Sequence, residues 1–346
     1  MKRILITGCG GPLGVNITRS LKKAPEPLYL IGTEAKAFHT HLSLTDQTHL
    51  IPPAKDLQAY LSALSNLIKT ERIDMVFPTH PIEVQTLGQH LGQLPQVKVH
   101  IPPPQVLEVG NNKWLSYQSF ARAGIPVPQT WLIHEAGDLK SVFEKHTQRP
   151  IWVRGAGFPG HGVGVASLPC KKLEHALAWV DYHQGFGKML ASEFLPGANL
   201  TWCGLFDQGR LVASQARERL EYIIPHVSPS GITGAPAVTR TIARQDVQEI
   251  GEAAVRALMP QAHGAFFTDM TENAEGKPCV TEVNPGRYGT TVHFYTEAGL
   301  NFPYLLVQAA FGELPEGRTW INPIAPDVYW IRTIDCGPVL VRNPLT

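Results

Sequence analysis

The sequence predicts an α/β protein of more than one domain, a Rossmann-like unit at the amino end followed by a larger part that carries a β-hairpin. Three observations predict it. The chain opens with KRILITGCGGPLGVNITRSLKKA, an apolar strand, a glycine-rich turn and a helix, as doubly wound domains begin. Its 346 residues, 43% of them hydrophobic, are enough to bury two or three cores. Further on, GAFFTDM and KPCVTEVN read as short strands rich in β-branched and aromatic residues, separated by Asn273, Glu275 and Gly276, which suit a turn.

The first turn fits T-G-x-x-G-x-x-G through Thr7, Gly8, Gly11 and Gly14. NAD(P)-dependent epimerases and reductases of the short-chain type hold a dinucleotide pyrophosphate with the same turn. They also need Tyr-x-x-x-Lys, and no tyrosine from Tyr29 to Tyr329 has a lysine four residues on. The glycines are therefore expected to shape a tight turn. IDMVFPTHPIEVQTLGQHL adds a later strand with Pro78, Thr79, His80 and Glu83 at its carboxyl end, where such sheets bind ligands or where a loop caps the next helix. His39, His41 and His49 read as surface histidines, because no carboxylate or cysteine completes a ligand set.

Pro102, Pro103 and Pro104 form a stiff connector and a domain boundary. Asn111 or Asn112 then caps a helix with an apolar stripe of Trp114, Tyr117 and Phe120, ended by Gly124 and Pro126. IWVRGAGFPGHGVGV offers a strand, the basic Arg154, and a loop with Gly155, Gly157, Gly160, Gly162 and Gly164, whose backbone N–H groups can approach an anion closely. KMLASEFLPG is a further strand. GRLVASQARERL alternates so that Arg217 and Arg219 share one face, turned toward a ligand or toward water. DVQEIGEAAVRALM is an amphipathic helix with Val247, Ile250, Ala254, Val255 and Leu258 inward, and NFPYLLVQAAFG is another. The tail from Thr319 reads as strands and turns without recognisable chemistry.

The hairpin carries the sharpest chemistry. A turn centred on Glu275 and Gly276 sets Asp269 across from Glu282, and Asn284 shares the face of Glu282 because side chains repeat every second residue. Opposed like charges are destabilising, so a cation is expected between them. Oxygen ligands without His or Cys fit Mg²⁺ or Mn²⁺ and, through the metal, a nucleotide's phosphates. Arg287 adds an anion-binding group beside that cation.

TEVNPGR resembles the E-x-N-P-R signature of the ATP-grasp superfamily, closest to its carbamoyl-phosphate-synthase-like carboxylate-amine ligases. NNKWLSYQSFARAGIPVPQTW, IWVRGAGFPGHGVGV, LASEFLPGANLTWCGLFDQGRLV and SGITGAPAV carry the resemblance in colinear order over roughly residues 106 to 300. It implies a pre-ATP-grasp domain over 1–105 and an ATP-grasp domain over 106–346, with a mobile glycine-loop subdomain at 125–190 and a metal- and substrate-binding part at 191–346. It further implies that Lys113, Arg154, Gly160 and Gly162 hold the phosphates of ATP, that Glu193, Phe194 and Leu195 meet adenine, and that Asn199 meets the ribose where many relatives have a carboxylate. Asp269, Glu282 and Asn284 would hold Mg²⁺ (or Mn²⁺), with Arg287, Arg154 and Arg217 as catalytic cations. Ser230, Gly231, Thr233 and Gly234 would lie near the acyl phosphate, and His80 and Glu83 would face the substrate. The implied reaction activates a carboxylate as an acyl phosphate and joins it to an amine or similar nucleophile; the partners are those small molecules, with a second copy of the chain as a further candidate. Gly286, between Pro285 and Arg287, departs from the signature and leaves the reach of Arg287 open. A single ATP-grasp unit fits this length, which argues against carbamoyl phosphate synthesis with its two units. The competing readings are a short-chain NAD(P)-dependent enzyme and a non-catalytic nucleotide-binding relative.

Composition narrows the partners. With 30 Lys+Arg against 29 Asp+Glu the net charge is +1, which gives no electrostatic case for nucleic acid or an anionic membrane. Cys9, Cys170, Cys203, Cys279 and Cys336 are scattered, without the close pairs of zinc or redox motifs. No apolar run reaches the ~20 residues of a membrane helix, and the chain enters a strand at once without a signal peptide. A soluble cytoplasmic protein is expected.

Overall fold

The computed structural model describes residues 1–146, 149–158, 167–334 and 339–341. The amino-terminal unit runs β1 (Lys2–Thr7), α1 (Pro12–Leu21), β2 (Leu28–Glu34), α2 (Ala37–Thr40), β3 (Gln47–Leu50), α3 (Leu57–Thr70), β4 (Met75–Phe77) and α4 (Pro81–His90). Its strands form a parallel sheet in the order β3-β2-β1-β4. Pro12 starts α1, and a Cβ on Gly14 would lie 2.3 Å from the Gly8 carbonyl oxygen, so only glycine lets this helix close onto the turn.

Two helices lead on, α5 (Pro104–Asn111) and α6 (Lys113–Arg122). Pro104, read as part of a connector, is the first residue of α5, where its missing N–H costs nothing. Asn112 caps α6, accepting from the N–H groups of Trp114 at 3.0 Å and Leu115 at 3.1 Å. The expected apolar stripe is turned aside: α6 buries Lys113, Ser116 and Phe120, while Trp114 and Tyr117 stack on each other, half-buried. Burial of an ion-paired lysine at the start of the helix fixes that rotation.

A small antiparallel sheet, β5-β8-β6-β7, follows, built from β5 (Thr130–Ile133), α7 (Ala136–Lys145), β6 (Ile151–Gly155), β7 (Leu168–Cys170), α8 (Leu173–Tyr182) and β8 (Met189–Glu193). The large sheet takes the rest: β9 (Asn199–Asp207), β10 (Arg210–Tyr222), β11 (Pro236–Ile242), α9 (Gln245–Leu258), β12 (Gly264–Glu272), β13 (Pro278–Pro285), α10 (Val292–Glu297), α11 (Phe302–Phe311), β14 (Trp320–Ile321), β15 (Tyr329–Ile331) and β16 (Val339–Val341). Its order is β13-β12-β9-β10-β11-β15-β16, with β14 beside β10.

Alternation along β9 divides the large sheet's two faces. Leu200, Trp202 and Phe206 pack under α9, where Val247, Ala254 and Val255 are buried and Ile250 and Leu258 partly so. Cys203 and Leu205 turn the other way, into a core shared with Ile4, Ile6, Leu13 and Ile17 of the amino-terminal unit and with α10 and α11. The first sheet is thus welded to the large sheet through buried side chains. Among the described residues no helix is long and apolar enough to cross a membrane.

Candidate active site

The β12–β13 hairpin opposes Asp269 and Glu282, but by a different route from the simple turn count. The pairs nearest the turn, Glu272 with Pro278 through Met270 with Val280, centre on Glu275 alone, a register that would set Asp269 against Thr281. A bulge between Asp269 and Met270 leaves Thr281 of β13 as the extra residue and restores Glu282 to the position across from Asp269. Thr281 is tied in place, its hydroxyl donating to the Asp269 carbonyl at 3.1 Å and its carbonyl accepting from Arg154 at 2.9 Å.

Both carboxylates are largely buried, and the chain itself supplies their counter-charges. Lys113 at the start of α6, with 3% of its side chain exposed, forms an ion pair with Glu282, and Arg219 of β10 lies 3.4 Å from Asp269. Thr201 of β9 donates to Asp269 at 2.9 Å, and the Asn284 amide donates to Glu282 at 3.1 Å. Burial alone would raise Glu282, but Lys113, followed by Arg154, outweighs it and holds the carboxyl at about 2. Asp269 moves the other way, raised by burial and by the charge of Glu282 against the pull of Arg219. Burial pushes Lys113, Arg154 and Arg287 down, with Glu282 opposing the shift in each.

Around the pair opens a cleft of about 750 Å³ between the small and large sheets. Its described lining carries five cationic side chains, Lys113, Arg154, Arg217, Arg219 and Arg287, against the carboxylates of Glu193, Asp269 and Glu282. A surplus of positive charge along a cleft attracts anions. Glu193, Phe194, Leu195 and Asn199 line the same cleft. The Glu193 N–H is committed to the Gln129 carbonyl at 2.8 Å, whereas no described backbone bond outside helices and strands uses the N–H of Leu195. Asn199 spends its side-chain oxygen on the Thr271 hydroxyl at 3.1 Å. Gly160 and Gly162 lie outside the described residues. Just before them, Gly157 has φ +95° and touches the α5–α6 junction: a Cβ there would sit 2.4 Å from the Asn111 carbonyl oxygen.

The extra glycine of NPGR finds its explanation in the backbone. Gly286 takes φ +77°, and its N–H donates to the Ala265 carbonyl at 2.7 Å, so it forms a left-handed kink that returns Arg287 toward the site. There Arg287 donates to the Asn284 side-chain oxygen. Arg217 donates to Thr291, with its guanidinium 5.2 Å from the Phe267 ring centre. Ser230, Thr233 and Gly234 line the cleft, and Gly231 beside them has φ +71°. His80 caps α4 through Nδ1, which accepts from Ile82 at 3.3 Å, and Glu83 is held by the Thr7 hydroxyl at 2.7 Å; neither lines the cleft.

The oxygen set of Asp269, Glu282 and Asn284 fits a hard divalent cation in donor type and in placement on one sheet face. The carboxylates retain lone pairs beyond their present partners, since only Oδ1 of Asp269 is bonded to Thr201 and Arg219. The glycine turn of the first sheet is filled from within: Glu34 accepts from Gly10 N–H at 3.1 Å, and a Cβ on Gly10 would lie 2.0 Å from the His39 carbonyl oxygen. Away from the cleft, His100, Asp207 and His263 gather, but the two imidazole centres lie 4.0 Å apart, closer than the ~5 Å that two imidazoles on one zinc require. They are a packed pair, with His100 Nε2 bonded to the Phe206 carbonyl at 3.0 Å.

Thr201, Tyr222 and Arg332 were not singled out from sequence. Thr201 was legible in principle, since it shares the β9 spacing that faces Asp269. Nothing local marks Tyr222, or Arg332 in the tail, as part of this face.

Neither a family model nor a curated protein matches the sequence. Solved structures do. An L-amino acid ligase from Bacillus licheniformis superposes with TM-score 0.67 at 20% identity, covering 95% of this chain and 79% of that one. The biotin carboxylase domain dimer of the Hydrogenobacter thermophilus 2-oxoglutarate carboxylase, solved with MgADP, ADP and bicarbonate, gives 0.70 at 16%, covering 95% and 73%. N5-carboxyaminoimidazole synthetase from Staphylococcus aureus gives 0.68 at 15%, covering 95% and 82%. The likeness extends over nearly the whole chain and shows its fold, the ATP-grasp fold that the motif order implied.

Proposed function

We propose that this protein is an ATP- and Mg²⁺-dependent ligase that activates a carboxylate as its acyl phosphate and joins the acyl group to an amine or similar nucleophile. The observation that carries this reading is the buried, directly opposed pair Asp269 and Glu282 on a cleft otherwise rich in cations. The barrier to such a reaction is electrostatic, because a carboxylate must approach an already anionic triphosphate. Lys113 and Arg154 would take the phosphates, with the capped amino end of α6 adding its dipole. Asp269, Glu282 and Asn284 would hold Mg²⁺ (or Mn²⁺), which when bound bridges and neutralises phosphate oxygens. Glu282 is ionised at every physiological pH, so it is ready to ligate without losing a proton. Arg287 would orient the reacting carboxylate or stabilise the transferring phosphoryl group, and Arg217 would offset negative charge that develops during transfer. Adenine would lie along Glu193, Phe194 and Leu195, using the spare N–H of Leu195. Asn199 would meet the ribose as an amide, a weaker acceptor than an ionised acid.

The neighbours solved as an L-amino acid ligase, and with MgADP, support nucleotide chemistry in such a cleft. The dimeric state of the second makes a homodimer part of the proposal. The short-chain alternative lacks the Tyr-x-x-x-Lys pair that its proton transfer needs. The experiment is ADP release from Mg-ATP across amino, hydroxy and keto acids paired with amines. Turnover with any pair is expected. Binding of Mg-ATP with silence throughout would move the chain to a nucleotide sensor, and binding of NAD(H) without ATP to the short-chain enzymes.

A further inference from the structure

Beyond the metal pair, the same sheet face continues across β10, β11 and β15 to a second group of cations. Thr239 pairs with Arg219 on one side and with Trp330 on the other, so all three share one sheet face, on which Arg219 lines the cleft and Trp330 packs against Phe294. Arg217 lies two residues from Arg219 and Arg332 two from Trp330, which keeps both on that face; the Arg332 N–H donates to the Ala237 carbonyl at 2.9 Å. Tyr295 of α10 closes over them, its ring centre 5.7 Å from the Arg217 guanidinium.

Here the hydrogen-bond inventory fails to close. Arg217 Nε, Arg332 NH2, Trp330 Nε1, Thr239 Oγ1, Tyr222 Oη and Tyr295 Oη are all buried without a partner among the described residues. Three of these atoms can only donate, and the hydroxyls can. The Arg332 guanidinium has one bond among the described residues, from Nε to the Pro236 carbonyl at 2.9 Å. No carboxylate is paired with either guanidinium among the described residues: Asp269 is paired with Arg219 and Glu282 with Lys113. Burial, and then the charge of Arg217 on the same sheet face, push Arg332 down to about 10. Buried donors of a native protein are almost always satisfied, and two like charges held together need an anion.

We propose that Arg217 and Arg332, with the hydroxyls and indole around them, form a subsite for a substrate carboxylate that is not the reacting group. The nucleotide's phosphates are served by Lys113 and Arg154 at the metal end, and a planar carboxylate suits a guanidinium fork. The inference rests on the ligase reading for its role in turnover. The chemistry has two sources, the far carboxylate of a dicarboxylic acid being activated or the carboxylate of an amino acid acting as nucleophile.

Thermal-shift titrations decide it, using succinate and L-alanine as probes and succinamide and L-alaninamide as uncharged controls, each with and without Mg-ADP. At least one acid is expected to stabilise the wild type, its amide not, and the identity of that acid names the source. Arg332→Gln is expected to weaken that acid at least tenfold while leaving the Mg-ADP shift intact, and Arg332→Lys to recover part of the loss. Equal protection of wild type and Arg332→Gln, or no acid preferred over its amide, overturns the subsite. Failure of Mg-ADP to bind the wild type instead overturns the ligase reading, and the arms without nucleotide still decide the subsite.

Discussion

Glu282 is the residue on which the site turns, because it neutralises Lys113 and stands directly opposite Asp269. Glu282→Gln preserves shape and removes charge. Turnover is expected to fall at least tenfold, ~1.4 kcal/mol in barrier, measured as ADP release. Wild-type turnover would remove its metal role. The change also leaves Lys113 buried and unpaired, so Lys113→Met is added as a second change; the double variant is expected to regain melting temperature without regaining turnover. Glu83 makes a separate expectation. Burial raises its carboxyl from 4.5 to about 7, so the folded chain holds a proton there that the unfolded chain releases. Its contribution is present at low pH and lost as pH rises from about 4.5 through about 7. Glu83→Gln is expected to melt like wild type at pH 5 and to be more stable at pH 8, by roughly 3 kcal/mol at most. Equal melting at both values would mean that Glu83 ionises normally. At this scale the sequence was readable where a motif names its residues, as TEVNPGR does. Arg332 was not readable, since only the strand order of the finished sheet brings it to the face of Arg217, and Tyr222, on the same strand as Arg217, reaches that face through the register shifts after Arg219.

Elements were legible in kind and less so in register. The amphipathic spacing of α9 and the hairpin strands follow from local pattern, and both formed over the expected residues. Two features escaped for physical reasons. A run of prolines reads as a connector, yet proline at the first helical position is compatible with the helix it begins. The bulge at Thr281 costs nothing visible in composition, yet it alone decides which side chain Asp269 faces. The Asn112 cap was legible, and Asn112→Ala is expected to lower stability by ~1 kcal/mol by orphaning the amides of Trp114 and Leu115. Gly286 is more demanding. At φ +77°, with an added Cβ only 2.6 Å from Val84 Cγ1, Gly286→Ala is expected to cost ~1–3 kcal/mol, read from the urea midpoint. An unchanged midpoint would show that the kink carrying Arg287 is not under that constraint.

At the scale of the molecule, the first sheet and the large sheet share one core, whereas the small sheet meets them across the charged cleft. A ligand spanning phosphate and adenine positions would touch Lys113 and Asp269 on one side and Arg154, Phe194 and Leu195 on the other, so its binding energy would tie the sheets together. Binding to the folded chain alone stabilises it by ~2.7 kcal/mol at a ligand concentration of 100 Kd. Because the cleft lining carries more cations than carboxylates, part of that affinity is Coulombic and partly screened, with a Debye length of ~10 Å at 0.1 M salt and ~3 Å at 1 M. The melting temperature is therefore expected to rise with Mg-ADP, to rise less at 1 M than at 0.1 M salt, and not to move with NADH, because the chain lacks the Tyr-x-x-x-Lys pair of the short-chain enzymes. A shift with NADH alone would relocate the functional site to the first sheet. A Mg-ADP shift indifferent to salt would mean that the cationic lining contributes nothing to nucleotide capture.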